Sequence, residues 1–457
     1  MAKKLVVLCD GTWCGPETDT ESNIYRLAWM MGINPTGPAP TFSCDCIQAR
    51  YFKGVGLGGS FMSYLWDGAF ASDREKECSE VYEFIVQNFT PDHEIWMFGL
   101  SRGAYTVRSV AGMINNCGIV QDMGNRELIK QIYKLYRSPY SINEPWSQEM
   151  QQFRWQVSHH VQTPIKFMGL FDTVGSLGIP RLNYDTGVGF EWPEFHDNEV
   201  SSVVEKVYHA MSIHDRLWAF QPCLASRNVK HVGRSDLRIY QKWFPGAHYD
   251  LGRQQFRFLR QGNNIAERLV FTAVNYLSRT VYPNEQLSDL VLLWMLKAIR
   301  AEGGSQLIRR DEEDQARGIS TIITHIQTNI TRLGTGSGDI YANILSYLPF
   351  GKLEFIAGTF VWSVDKLWPV SSELQSWHKI FFGTRDRMIP DPGNPNNPLR
   401  VLVRNQVYNY TIGDPDLNGR ILGDSARVIT PQTQRERYPS RTFEDYANYM
   451  VATGRNI

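Results

Sequence analysis

The chain has 457 residues, 42% of them hydrophobic, which supplies a large core and exceeds what one small domain needs. Lysine plus arginine and aspartate plus glutamate both number 47, and this balance excludes the strong positive field on which nucleic-acid binding depends. An odd number of cysteines, seven, excludes the disulfide framework of a small secreted protein and predicts reduced thiols.

At the N-terminus, Met1-Ala2-Lys3-Lys4 runs directly into residues 5–9, Leu-Val-Val-Leu-Cys. The run is too short for the apolar core of a signal peptide, and Asp10 ends it. No stretch reaches the roughly 18 apolar residues of a transmembrane helix. A cytoplasmic protein is therefore expected, and 5–9 reads as a strand covered on both faces. Asp10-Gly11-Thr12 has a superficial likeness to the D-x-D-G-T of aspartyl-nucleophile phosphatases, but Leu8 stands where that nucleophile would be. Cys44 and Cys46 have no histidine near them and lack the ligand spacing of a zinc site, so no metal is predicted. Residues 54–59, Gly-Val-Gly-Leu-Gly-Gly, lack the Lys-Ser/Thr of a phosphate loop and read as a loop beside a pocket.

Further on, Cys78, Val81, Tyr82, Ile85 and Phe89 mark one helix face, and residues 95–98 form the next strand candidate. Gly99-Leu100-Ser101-Arg102-Gly103 follows at once, and Ala104, Val107, Ala111 and Ile114 then mark another helix face. A G-x-S-x-G between an apolar strand and an amphipathic helix is the setting of a nucleophile elbow. There the turn is too tight for side chains at the glycines, and the serine hydroxyl is lifted out at the strand end.

A serine hydroxyl needs a base to take its proton. The expected chain order is Ser, acid, His, and two later runs end on suitable groups. Residues 165–171 end at Asp172, and 237–244 lead into Pro245-Gly246-Ala247-His248. Functional groups collect at the carboxyl ends of strands in open α/β sheets. Ser101 is thus the expected nucleophile, His248 the base and Asp172 the carboxylate that orients it. Asp215 and Asp250 compete for the last role. His209 and His214 lie in a stretch, 208–215, that reads as a helix start or loop. The oxyanion formed at the carbonyl needs aimed donors. The backbone N–H of Arg102 is one, and Gly11 or Thr12 supplies the other, with Asp10 holding that loop in shape. The chemistry requires no cofactor.

Beyond residue 253 the pattern changes. Residues 265–277 and 287–301 read as helices, 302–318 as a polar surface connection, and 388–399 as a proline-rich loop. Residues 338–370 are dense in aromatic and aliphatic side chains, Phe360 and Trp362 among them, and suit either core packing or an apolar surface for acyl chains. Residues 401–410 are strand-like, and a helix-like piece lies near Tyr446. The expected architecture is an α/β-hydrolase type: a mainly parallel sheet with helices on both faces over 1–300, and a mostly helical region, 301–457, covering the site.

Five separated pieces carry a family resemblance: residues 6–13 (Val-Val-Leu-Cys-Asp-Gly-Thr-Trp), 54–56 (Gly-Val-Gly), 98–105 (Phe-Gly-Leu-Ser-Arg-Gly-Ala-Tyr), 171–175 (Phe-Asp-Thr-Val-Gly) and 243–248 (Trp-Phe-Pro-Gly-Ala-His). In order and spacing these resemble a large α/β-hydrolase family of fungi and bacteria that includes phospholipase effectors of type VI secretion. The resemblance runs from about residue 3 to about 300. It implies Ser101 as nucleophile, Asp172 and His248 as its partners, and a phospholipid substrate in some relatives. The chain departs from the family's H-S-D-V-G-G run, with Tyr249 and Arg253 in place of the serine and the last glycine. The activity expected is hydrolysis of a carboxylic ester, a lipid acyl ester above others, with peripheral membrane contact. A thioesterase or peptidase on the same triad, or an idle binding scaffold, are the alternatives.

Overall fold

The computed structural model describes residues 2–11, 21–54, 71–162, 164–174, 181–182, 190–191, 199–212, 215, 222–227, 237–244, 246–257 and 280–330. Thr12, residues 55–59, Gly175, His214, the predicted helix at 265–277 and everything from 331 onward, including 338–370, lie outside the described residues.

A seven-stranded sheet organises the described part. Its strands are β1 (Lys3–Cys9), β2 (Thr41–Cys44), β3 (Ile47–Phe52), β4 (His93–Leu100), β5 (Ile165–Phe171), β6 (Val204–Ser212) and β7 (Arg238–Phe244). The spatial order is β7-β6-β5-β4-β1-β3-β2, parallel throughout except for the β2–β3 hairpin at one edge. Leu5, Val6, Val7 and Leu8 are all buried, because this central strand is covered from both sides.

The two faces pack as separate cores. On one, Val6, Leu8, Trp96, Phe98 and Tyr208 meet α1 (Asn23–Met30) and two helices from the far end of the described chain, α7 (Glu285–Ala301) and α8 (Ile319–Asn329). On the other, Leu5, Val7, Ile95, Met97 and Val207 meet α2 (Ala71–Asn88), α3 (Arg102–Cys117), α4 (Arg126–Tyr136) and α5 (Gln148–Val157). The remaining helix, α6 (His248–Gly252), is a single short turn.

An aromatic ladder crosses the first face. Trp96 stacks on Phe167 at 4.9 Å between ring centroids, Phe167 on Tyr208 at 5.1 Å, and Tyr208 on Tyr240 at 4.5 Å, one ring from each of four neighbouring strands. Trp294 of α7 meets Tyr208 edge-on at 5.6 Å. Such pairs add to the burial of their large apolar surfaces.

Two expectations are corrected. The stretch from 208 is neither a helix start nor a loop: it continues β6 as far as Ser212, paired to β5 and β7. The connection at 302–318 is not merely a surface link. Leu307 and Ile308 are buried, the N–H groups of Arg309 and Arg310 donate to Met30 O at 2.8 and 3.2 Å, and α8 joins the same core as β1.

Candidate active site

The parallel strands deliver their chain ends to one edge of the sheet. β1 leads on to strands on one side of itself, β3 and β2, and the chain then continues on the other side through β4, β5, β6 and β7. The strand order thus reverses between β1 and β4, and a crevice outside the carboxyl ends is expected at such a point. In register Cys9 lies beside Gly99, Leu100 beside Phe171, and Phe171 beside Ala210. Asp10, Ser101 and Asp172 therefore follow directly after three adjacent strands.

Ser101 has φ 56° and ψ −118°, a backbone conformation an L-residue adopts at a cost. Its N–H is held by Phe171 O at 2.9 Å, and its carbonyl accepts the N–H of Tyr105 at 3.2 Å as α3 begins. The flanking glycines are required by contact. A Cβ on Gly103 would lie 2.2 Å from Cys9 O, and one on Gly99 would lie 2.5 Å from Gly103 O. Arg102 is the first residue of α3, where backbone N–H groups have no partner within the helix.

Asp172 also has positive φ, 42°, and its carboxylate is wholly buried. Oδ1 accepts the N–H of Ser212 at 2.9 Å. Oδ2 accepts Ser212 Oγ at 3.3 Å and pairs with His248 Nδ1 at 2.7 Å. Buried charge is tolerated only when bonded in this way. The turn after it is fixed by His209, whose Nε2 accepts the N–H of Thr173 at 3.2 Å. Since that nitrogen accepts, the proton sits on Nδ1, 3.2 Å from Gln241 Oε1. The Gln241 amide is in turn locked to the backbone of Ala225, at 2.8 and 3.0 Å. His209 is thus a neutral imidazole built into the support of Asp172.

His248 opens α6, just after Gly246, whose φ of 111° and crowding against Asp250 and Leu287 demand glycine. The competing carboxylates accept from backbone N–H groups. Asp250 accepts the N–H of Ala247 at 2.8 Å and that of Asn284 at 2.6 Å, fixing the loop that presents His248 to the start of α7. Asp215 Oδ2 accepts the backbone N–H of His248 at 3.1 Å, whereas Asp172 takes the ring.

Asp10 is buried and accepts from Gly11 N at 2.8 Å, Tyr51 Oη at 2.7 Å and Ser22 Oγ at 2.7 and 2.6 Å. Ser22 is also the N-cap of α1, accepting from Tyr25 N at 3.0 Å. One carboxylate thus ties the end of β1 to β3 and to a helix start. The N–H of Gly11, one of the two alternatives expected for the second oxyanion donor, is turned to this carboxylate. Next to this node, burial pushes the Cys9 thiol well up, aided by Glu77, Cys78 and Asp10.

Sequence reasoning missed the supporting groups Ser22, Tyr51, His209, Ser212, Gln241 and Asn284. Ser22 had a readable signal, a capping residue ahead of Ile24, Leu27 and Ala28 at helical spacing. Tyr51, His209, Ser212 and Gln241 act from strands whose partners are remote in sequence, and Asn284 is the N-cap of α7.

The chain was compared with known proteins. Residues 3–298 match the catalytic domain of the type VI secretion system Tle1-like phospholipase effectors. An uncharacterized protein of Saccharomyces cerevisiae is 30% identical over 231 residues, which are 48% of this chain and 32% of that protein, so the match spans about a third of the curated relative's length. Among solved structures, the Tle1 effector bound to the VgrG spike of the type 6 secretion system aligns with TM-score 0.36 and 15% identity, covering 73% of this chain and 79% of that one. An uncharacterized protein from Pseudomonas aeruginosa aligns with TM-score 0.28 and 15% identity over 72% and 53%.

Proposed function

We propose that this chain, which belongs to the family of type VI secretion system Tle1-like phospholipase effector catalytic domains, hydrolyses lipid acyl esters through an acyl-enzyme on Ser101. The observation that carries the reading is the 2.7 Å bond between His248 Nδ1 and the buried carboxylate of Asp172, from a chain position one strand away from the elbow serine. That bond leaves the far nitrogen of the imidazole, Nε2, to act as base.

In this mechanism His248 Nε2 takes the Ser101 proton as the hydroxyl oxygen attacks the ester carbonyl. Asp172 fixes the tautomer and stabilises the imidazolium that forms. The negative oxygen of the tetrahedral intermediate is received by the N–H of Arg102, at the positive end of α3. A second donor falls to Thr12, since the N–H of Gly11 is committed to Asp10. The imidazolium then protonates the leaving alcohol. A water activated by the same imidazole releases the fatty acid and restores the serine. Because a phospholipid is presented at a bilayer surface, the protein meets the membrane peripherally. Among the described residues no helix is long and apolar enough to cross it.

The test is fatty-acid release from phosphatidylcholine vesicles by the wild type and by Ser101→Ala. Release by the wild type and loss of at least roughly 10³-fold in the variant is expected. Equal release by both proteins would overturn the proposal.

A further inference from the structure

The β2–β3 hairpin carries chemistry that ester hydrolysis does not use. Cys44 ends β2 and pairs with Ile47, the first residue of β3, so the turn between them is only Asp45 and Cys46. This tight reversal places Cys44 Sγ 3.9 Å from Cys46 Sγ, the contact distance of two reduced sulfurs. Cys46 is exposed and Cys44 half-buried. The setting is cationic on one side only: Arg309 Nη1 lies 3.7 Å from Cys44 Sγ, with its guanidinium laid over Phe42 at 4.7 Å.

The two thiols are unequal. Some burial opposes ionisation of Cys44, but the backbone N–H groups of Cys46 and Ile47, the Cys46 thiol and Arg309 together draw it below the ordinary thiol range. The hydrogen bond with Cys44 holds Cys46 above that range. Elsewhere Cys9, Cys78 and Cys117 are buried, and burial pushes the Cys117 thiol up to about 12. Reactivity follows thiolate character and access, and both favour the hairpin over the buried Cys9, Cys78 and Cys117, while Cys223 is half-buried.

We propose that Cys44 and Cys46 form a reactive dithiol that small-molecule disulfides, of the glutathione disulfide class, convert to an intrachain disulfide. The Cys44 thiolate attacks one sulfur of the small disulfide, a sulfur–sulfur bond forms, and one small thiolate leaves. Cys46, as thiolate, then attacks Cys44 Sγ and expels the second. The protein loses two electrons and two protons, and the small disulfide becomes two thiols. A ring closed across a single intervening residue is strained, and strained disulfides are the readily reduced ones, so the step is reversible.

The experiment treats the full reduced chain with glutathione disulfide, quenches with an alkylating agent and maps tryptic peptides by mass. Cleavage at Arg26 and Arg50 isolates residues 27–50, which contain Cys44 and Cys46 and no other cysteine. In the wild type this peptide should lose two hydrogens and carry no glutathione at the end point, and dithiothreitol should restore it. Cys46→Ser should stop at a stable glutathione adduct on Cys44. Cys44→Ser should acquire its adduct on Cys46 about tenfold more slowly or worse, and Arg309→Met should slow capture severalfold. Circular dichroism of each variant should match the wild type, since both thiols stand on the hairpin tip. Equal capture rates for the two serine variants, a wild type that ends as a glutathione adduct, or modification of Cys9, Cys78 or Cys117 before the hairpin would each overturn the proposal.

Discussion

Asp172 and Asp250 are both buried carboxylates near His248, yet their partners separate their roles. Asp172 meets Ser212 and the ring of His248, whereas both oxygens of Asp250 hold backbone N–H groups. An Asn at 172 would set an amide N–H against either Ser212 N–H or His248 Nδ1, and the tautomer would no longer be enforced. Asp172→Asn is expected to lower kcat by roughly 10³–10⁴-fold with the fold retained. Asp250→Asn should instead cost roughly 1–3 kcal/mol of stability, the penalty of a buried donor left unsatisfied, with kcat of the folded protein near wild type. Steady-state kinetics beside urea denaturation would separate the two, and a larger kcat loss at Asp250 would reassign the orienting carboxylate. Arg253 gives a second residue-scale prediction. Its φ of 53° is left-handed, a conformation that favours glycine. The arginine reaches Glu21 at 3.3 Å and Glu285 at 3.1 Å, both well exposed and so worth little. Arg253→Gly and Arg253→Ala lose the same ion pairs, but only the alanine keeps a Cβ in that conformation. Urea denaturation should find the alanine variant about 1 kcal/mol less stable than the glycine variant; equal stabilities would mean that the backbone carries no strain.

At the scale of elements, the sequence was legible where a strand is covered on both faces. β1, β4 and β5 read as mainly apolar runs, β7 reads as one in spite of Gln241 and Lys242, and β5 has the predicted bounds, Ile165–Phe171. β6 was misread because His209 and Ser212 are polar although wholly buried, placed there to hold the Asp172 turn. β2 was unreadable because it is short: Thr41–Cys44 is an edge strand of four residues, and the alternation of Phe42 and Cys44 with Thr41 and Ser43 is too brief to stand out in the sequence. The elbow was legible from its glycines, and its packing yields a prediction that runs against helix propensity. Within a helix, Gly→Ala ordinarily gains up to about 1 kcal/mol. At Gly103 the new Cβ would sit 2.2 Å from Cys9 O and 2.5 Å from Asp10 O, both backbone atoms that cannot turn aside. Gly103→Ala must move α3 off β1 and should cost at least about 2 kcal/mol, with loss of labelling at Ser101. A variant as stable as the wild type by thermal melting would show that the close approach of α3 to β1 is wrong.

At the scale of the whole molecule, family and fold were readable from motifs and strand alternation, and residues beyond 300 pack into the same core. Leu307, Ile308 and the buried face of α8 pack with β1 and α7, and buried Arg26 of α1 pairs with Asp289 of α7 at 2.7 Å and with Glu312. The lipid reading makes its own demand at this scale. If an acyl chain is buried on binding, each methylene contributes about 0.8 kcal/mol, so kcat/KM should rise up to about fourfold per added methylene across a C2 to C16 ester series until the apolar surface is filled. A maximum at acetate would remove lipid esters and leave a hydrolase of small substrates. The most direct measurement of the central claim is active-site labelling by a fluorophosphonate, followed by peptide mapping. The wild type should carry one phosphonyl group, on Ser101. His248→Ala should label far more slowly, and Ser101→Ala not at all, with an unchanged circular dichroism spectrum. Labelling at another residue, or labelling that survives in Ser101→Ala, would contradict the account.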